Sequence, residues 1–459
     1  MRRFAISGAS LCAAVYLTGS DAGVTRVSDQ AGLEAALHRA VPVIQLPSTL
    51  TVTHEILIPA GERPIEIRGA PTGSVIRFGA DFRGTAVFRA RSRSHLLFAG
   101  FTIEGVRLAH LPPKYLPPWN VAFANFYNRN GIVVEGGQDI TLARLHLTNV
   151  ADFPVIVSHA RHVRIDGLTV EDSGSRDERG RNNTSGGILL EEGTEDFDVR
   201  NCVLRRILGN AIWTHSNGGS PRNTGGRIAD NRIFTVARDA VQIGHATQVV
   251  VEGNEGQDIG YPADAVDIEH EGTPVAVDTS GNVDHAIYRN NRFRNVNGEC
   301  INLDGFHEGE VRNNQCDSTR PFENYPFAHY GIVMGNTDPA VRVSGVTIAD
   351  NSITGTGYGG LYLIGTGNVV TGNRLLMLNR VHCTGDGRMA RCNYALDQPD
   401  MLRSGIYLAA GAKHPAPAAD NLIRGNEIRG FGAGRWCITA APGVELKRNR
   451  IGPNSCAAE

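Results

Sequence analysis

The amino-acid sequence predicts an all-β chain wound as a single-stranded right-handed parallel β-helix, a solenoid with an N-terminal helical cap. Three observations carry this expectation. A short phrase, apolar-x-x-Asn-x-apolar, recurs at steps of 22 to 23 residues. Each repeat holds short runs of Val, Ile and Leu, the β-branched and aliphatic residues that fit a pleated, half-buried surface. The 54 glycines punctuate these runs at the corners where a strand must turn.

The phrase is marked by Asn201, Asn231, Asn254, Asn291, Asn314, Asn351, Asn373, Asn426 and Asn449. Asn231 and Asn254 are 23 apart, as are Asn291 and Asn314, and Asn426 and Asn449, whereas Asn351 and Asn373 are 22 apart. Upstream the same phrase continues with Gly100, Arg144 and Gly167 at the marked position, the step from Gly100 to Arg144 reads as two coils, and the other wide gaps read as one coil plus an inserted loop. A unit of this size cannot bury its apolar face alone, and stacking on its neighbours solves that problem. A leucine-rich repeat has a similar period, but its Leu-x-x-Leu-x-Leu frame is absent. Asn and Gly are expected at the tight corners because both tolerate left-handed backbone. Residues 28–40 read as a helix with Leu33, Ala36 and Leu37 on one face, placed to cover the first coil.

Residues 1–23 have the layout of a secretory signal peptide: Met1-Arg2-Arg3, an apolar stretch from Phe4 to Thr18, then small residues. The expected organisation is therefore a leader over 1–23 and one β-helix domain over 24–459, secreted or periplasmic. No later segment has the apolar length of a membrane span. Beyond the leader seven cysteines remain, and the export route favours disulfides, Cys383 with Cys392 and Cys437 with Cys456 first among them. One cysteine must stay unpaired, buried in the stack. A net charge of −2 and 20% charged residues argue against disorder and against a nucleic-acid partner.

A second recurring strand locates the candidate site. Its runs include Ile188 to Glu191, Ile212 to His215, Val241 to Gly244, Val266 to Glu269, Ile301 to Asp304, Leu361 to Ile364 and Ile406 to Ala409. Alternate side chains of a strand face opposite ways, so the first and third positions face the core and the second and fourth face outward. Read down the stack, the outward positions are polar in the middle coils only. Asp267, Glu269 and Asp304 form an acidic group there, with Glu191, Trp213, His215, Gln242 and Asn302 around it and His245, His270 and His307 just past the strand ends. Outward polar residues are ordinary on a solvated sheet, but several like charges on adjacent coils repel one another, and such a group is retained more readily for catalysis or ion binding. Tyr362 and Tyr407, one above the other, read as a platform for a long ligand. Two aromatic insertions, one with Tyr115, Trp119, Phe123, Phe126 and Tyr127 and the other with Phe322, Tyr325, Phe327 and Tyr330, would either wall a groove or pack against the solenoid.

With this repeat architecture and outward patch, the chain resembles the pectin-lyase-like β-helix superfamily of pectate lyases, polygalacturonases, and alginate lyases and epimerases. The resemblance implies a groove along one stacked sheet that takes an acidic polysaccharide. The motifs depart from each family: Gly244-His245-Ala246 stands where polygalacturonases carry Gly-His-Gly, Asp264 to Asp267 is only loosely similar to their Asp-Asp, and Asp304-Gly305-Phe306-His307 matches part of an epimerase motif. The leading expectation is a glycoside hydrolase in which Asp267, Glu269 and Asp304 supply the acid and the base or nucleophile that glycosidic cleavage needs, on a polysaccharide or oligosaccharide substrate, with no cofactor. A lyase or epimerase acting on a uronate polymer is the alternative. Ca²⁺ enters on that reading alone, held by the acidic patch, with Arg181 or Arg238 considered as base because only three lysines exist. A glycan-binding scaffold without turnover is the third reading.

Overall fold

The computed structural model describes residues 23–106, 122–126, 129–176, 180, 182, 185–268, 272–393 and 395–459. The expected leader thus lies outside the described residues but for Gly23. The strands join in one 42-stranded sheet, and every strand pairs in parallel with its counterpart a coil away. One coil shows the plan: strands Val155–Ser158, Arg161–Asp166 and Thr169–Glu171 pair in turn with Gly186–Glu191, Glu195–Arg200 and Val203–Ile207 of the next coil. The inward Ile, Val and Leu residues of all coils merge into one continuous apolar core running from Val27 to Ala441. Among the described residues no helix is long and apolar enough to cross a membrane.

The expected helix forms as α1 (Gln30–His38), with Asp29 as N-cap accepting from the Gly32 N–H and with Leu33, Ala36 and Leu37 buried. Gln30 ties it to the first long strand, Thr49–Ile58: its side-chain oxygen accepts from the Thr53 N–H at 2.9 Å and its amide donates to the His54 carbonyl at 2.9 Å. The side chain satisfies a strand edge that has no preceding coil to pair with.

The repeated asparagines form a buried ladder. Asn231, Asn254, Asn291, Asn314, Asn351, Asn373 and Asn426 each pass a side-chain hydrogen bond of 2.9 to 3.0 Å to the next, ending on Asn454. Each of these oxygens also accepts a backbone N–H from the coil before, as Asn314 Oδ1 does from Asn291. This corrects the expected role of these residues. The left-handed corner is the residue before the ladder position: Asp230, Gly253, Asn290, Asn313, Asp350, Gly372 and Gly425 have φ between 54° and 68°. Gly100, Arg144, Gly167 and Asn201 belong to that corner, at φ from 50° to 67°. Asn449 belongs elsewhere too, to a second ladder with Asn421 and Asn368.

Both expected disulfides form, Cys383–Cys392 and Cys437–Cys456, and Cys300–Cys316 joins them. Cys202 is the free, buried cysteine.

Candidate functional site

The outward column runs as expected from Trp213 through Gln242 and then departs. Gln242 pairs in register with Asp278 of strand Val275–Asp284, not with Asp267. Val277 of the same strand pairs with Ile301, which sets Asp278 beside Asn302. Asp267 sits half-buried on the loop after the turn Ala263–Ala265, and Ile268, expected inside, is 40% exposed. Two segments share the same alternation, Val266-Asp-Ile-Glu and Val275-Ala-Val-Asp, and only the second has neighbours to pair with on both sides. Glu269 and His270 lie outside the described residues.

Asp278 is 4% exposed and takes two amide donors, Gln242 Nε2 to Oδ2 at 2.7 Å and Asn302 Nδ2 to Oδ1 at 2.8 Å. Gln242 is itself oriented by Asn210, whose amide donates to Gln242 Oε1 at 2.7 Å. Asp239, fully buried one coil away, accepts the Val275 N–H at 2.8 Å and faces Arg238 at 3.6 Å. Burial first, and the neighbouring charge of Asp239 second, hold the Asp278 carboxyl well above the usual carboxylate range. Burial raises Asp239 as well, against the pull of Arg238.

These groups open on a cleft of about 250 Å³ lined by Arg238, Asp239, Gln242, Asp278, Glu299, Asn302 and Asp304, with Thr273 and Ser280. Asp304, as expected, faces it, held by the Thr337 N–H at 2.8 Å and by the Thr337 hydroxyl. Glu299 is 3.2 Å from the His329 ring. The arrangement thus sets a carboxyl raised well above the usual range beside further carboxylates on adjacent coils, the pairing that acid and base work requires.

The other expected residues fall around this cleft or away from it. Trp213 is 7% exposed and packs with Phe123, Phe153 and Leu189. His307 turns toward Gly305 and Asp284 and does not line the cleft. His245 packs over Gly281, where a Cβ would meet its ring at 2.7 Å. Tyr407 is fully buried, its hydroxyl bonded to Gln398, and so cannot serve as a platform, although Tyr362 stacks near it at 5.9 Å. Tyr325 and Tyr330 are buried against the solenoid side, and Phe322 packs under Arg391. Of the aromatic side chains of the first insertion only that of Phe123 lies within the described residues, and it too packs inward.

Glu191 is wholly buried beneath the turn α2 (Phe123–Phe126), accepting the N–H groups of Phe123 and Ala124 at 2.9 and 2.8 Å. Burial pushes it up to about 8, with Glu192 and Glu135 adding to the effect. His215, stacked on Phe123 at 4.7 Å, is pushed down to about 4, chiefly by burial. The two act in opposite senses on stability. The contribution of Glu191 is whole below its ordinary 4.5 and fades as pH rises toward 8. That of His215 is whole above its ordinary 6.5 and fades as pH falls toward 4. In EDTA, stability is expected to be flat from pH 4.5 to 6.5, where the two windows overlap and their slopes cancel, and to fall by about 2 kcal/mol between pH 6.5 and 8. Thermal melts across that range check it, and Glu191→Gln should remove the decline.

The family model named "Right handed beta helix region" matches residues 222–451, half of the chain. The chain belongs to that family. Its fold is a right-handed parallel β-helix, as the sequence led one to expect. Three solved structures share this β-helix. The catalytic domain of a GH87 α-1,3-glucanase is 11% identical with TM-score 0.58, over 78% of this chain and 65% of that one. PfbA, a surface adhesin of Streptococcus pneumoniae, is 14% identical with TM-score 0.54, over 76% and 87%. The polygalacturonase of Erwinia carotovora is 13% identical with TM-score 0.52, over 75% and 95%. No curated protein matches the chain.

Proposed function

We propose that this β-helix is an exported glycoside hydrolase that cleaves a polysaccharide or oligosaccharide in the cleft around Asp278. The observation that carries the reading is Asp278 itself: an outward-facing carboxyl, buried in the cleft and held well above the usual carboxylate range, with further carboxylates across the next coil. A glycosidic bond needs one group to protonate the leaving oxygen and one carboxylate to activate water or attack the sugar. Asp278 is the acid and Asp304 the base. Asp304 lies one coil on and two residues along from Asp278, about 8 Å by strand geometry, which leaves room for a water and suits inversion. Gln242 and Asn302 hold Asp278, while Arg238 and Glu299 face the sugar. Support from structure is of the fold alone, although a glucanase and a polygalacturonase are among the proteins that share it. Residues 1–23 serve as the export leader, and α1 caps the first coil.

The test is to incubate the purified protein with a panel of neutral and acidic polysaccharides, following reducing ends and absorbance near 235 nm together. Reducing ends without absorbance, reduced at least about 100-fold in Asp304→Asn, are the expected result. Absorbance that grows and stops with chelator would establish a metal-assisted lyase instead. Binding without either signal would leave a glycan-binding scaffold.

A further inference from the structure

Two coils before the cleft, the same stacked sheet carries a second polar group that the hydrolytic reading does not use. Glu191, Glu192 and His215 each turn one ligand atom toward a common point, all within 4.8 Å of one another. Glu191 and Glu192 are 0% and 1% exposed. No Arg or Lys pairs with either among the described residues. The groups that act on Glu191, apart from burial and two backbone N–H bonds, are carboxylates that raise it further. Two adjacent buried carboxylates without a cation are costly, because burial removes the water that would screen them.

The third member adds an independent sign. His215 Nδ1 is buried and has no hydrogen-bond partner. It lies 4.0 Å from Glu192 Oε1, too far for a hydrogen bond and suited to a gap that another atom bridges. Glu192 Oε1 is fixed from behind by the Asn217 N–H at 3.0 Å, and the Glu191 oxygens by Phe123 and Ala124. Each carboxylate oxygen keeps a second lone pair for a ligand bond. The supporting N–H groups hold these oxygens as the outer partners of metal ligands do.

We propose that Glu191, Glu192 and His215 bind a divalent cation under the α2 turn. One imidazole nitrogen with carboxylate oxygens is a mixed donor set that fits Zn²⁺ or Mn²⁺ better than Ca²⁺, which takes six to eight oxygens. This revises the expectation that the chain holds no metal and gives Glu191 and His215 a role other than touching substrate. The ion neutralises the buried pair and ties the turn that carries Phe123 to the solenoid wall. It is independent of the hydrolase reading, since none of its ligands lines the cleft.

The experiment uses tag-free full-length protein stripped with chelator, titrated with ZnCl₂, MnCl₂ and CaCl₂ by calorimetry, with melting followed alongside. Saturable binding of one Zn²⁺ or Mn²⁺ per chain and a raised Tm are expected, with little from Ca²⁺. Glu192→Gln and His215→Gln should each weaken it at least about 10-fold, while Asp304→Asn leaves it unchanged. If Glu192→Gln does not fold, Glu192→Asp, which keeps the charge and withdraws the oxygen, gives the same readout. No binding by the parent protein overturns the proposal. So does binding that survives both substitutions, or binding that only Asp304→Asn removes.

Discussion

Asp278→Asn is expected to lower kcat on a polysaccharide substrate by about 10³-fold or more, because it removes the outward cleft carboxyl that burial and the charge of Asp239 hold well above the usual carboxylate range. The substitution keeps size; the new amide oxygen accepts from Gln242, and Asn302 must turn its own amide over to accept from the new NH2, so activity is compared on protein whose melt shows it folded. What is lost is the proton for the leaving oxygen. The loss should therefore shrink sharply with an aryl glycoside whose leaving group departs without protonation. The pH profile is a second signature. Activity that depends on protonated Asp278 falls as pH rises through its raised pKa, so the basic limb should lie well above that of an exposed aspartate. Gln242→Leu takes away a donor that favours the charged form and should move that limb higher still. An Asp278→Asn protein that keeps full turnover on polysaccharide would remove the carboxyl from the mechanism.

The sequence told much about this site and misplaced its centre for a physical reason. Gln242, Asn302 and Asp304 were legible because a strand's alternation shows which residues face out, and the coils on either side share their register. The coil between them carries an excursion before Val275, and Val266 to Glu269 copies the alternation of Val275 to Asp278 closely enough to stand in for it. Pairing with neighbours decides between the two, and pairing is a property of the stack. Asp239 and Glu299 escaped for another reason: Asp239 precedes its strand and Glu299 opens its own, ahead of the apolar run whose alternation gives the signal, while Arg238 entered only as a base on the lyase reading. The fold was easier to read, because a period repeated many times averages out local ambiguity. Even there, the period was recognised before its cause. Asparagines at steps of 22 to 23 read as corners, whereas the corner is the residue before them.

That cause yields the largest expected effect on stability. Asn314 lies mid-ladder, 3% exposed, and makes four hydrogen bonds. It accepts from the backbone and the side chain of Asn291 at 3.1 and 2.9 Å, and donates to the Tyr288 carbonyl at 2.9 Å and to Asn351 Oδ1 at 3.0 Å. Asn314→Leu strands the Asn291 N–H, one Asn291 amide hydrogen and the Tyr288 carbonyl inside the stack. Each orphan costs about 1–3 kcal/mol, so a total loss of about 3–5 kcal/mol is expected after relaxation. Apolar residues are not themselves foreign to this position. Phe101, Leu145, Leu168 and Cys202 occupy the equivalent rungs of earlier coils, all buried. The chain tolerates a run of apolar rungs or a run of asparagines, because in either case neighbouring rungs match. A lone mismatch in the middle is what fails. Asn231→Leu, at the border where the ladder meets Cys202, strands the Cys202 N–H and the Val199 carbonyl but no side-chain amide of an earlier rung. It should therefore cost less than Asn314→Leu. Chemical denaturation of the two variants beside the parent checks the order, and equal losses would show that the ladder contributes as separate bonds and not as a matched column.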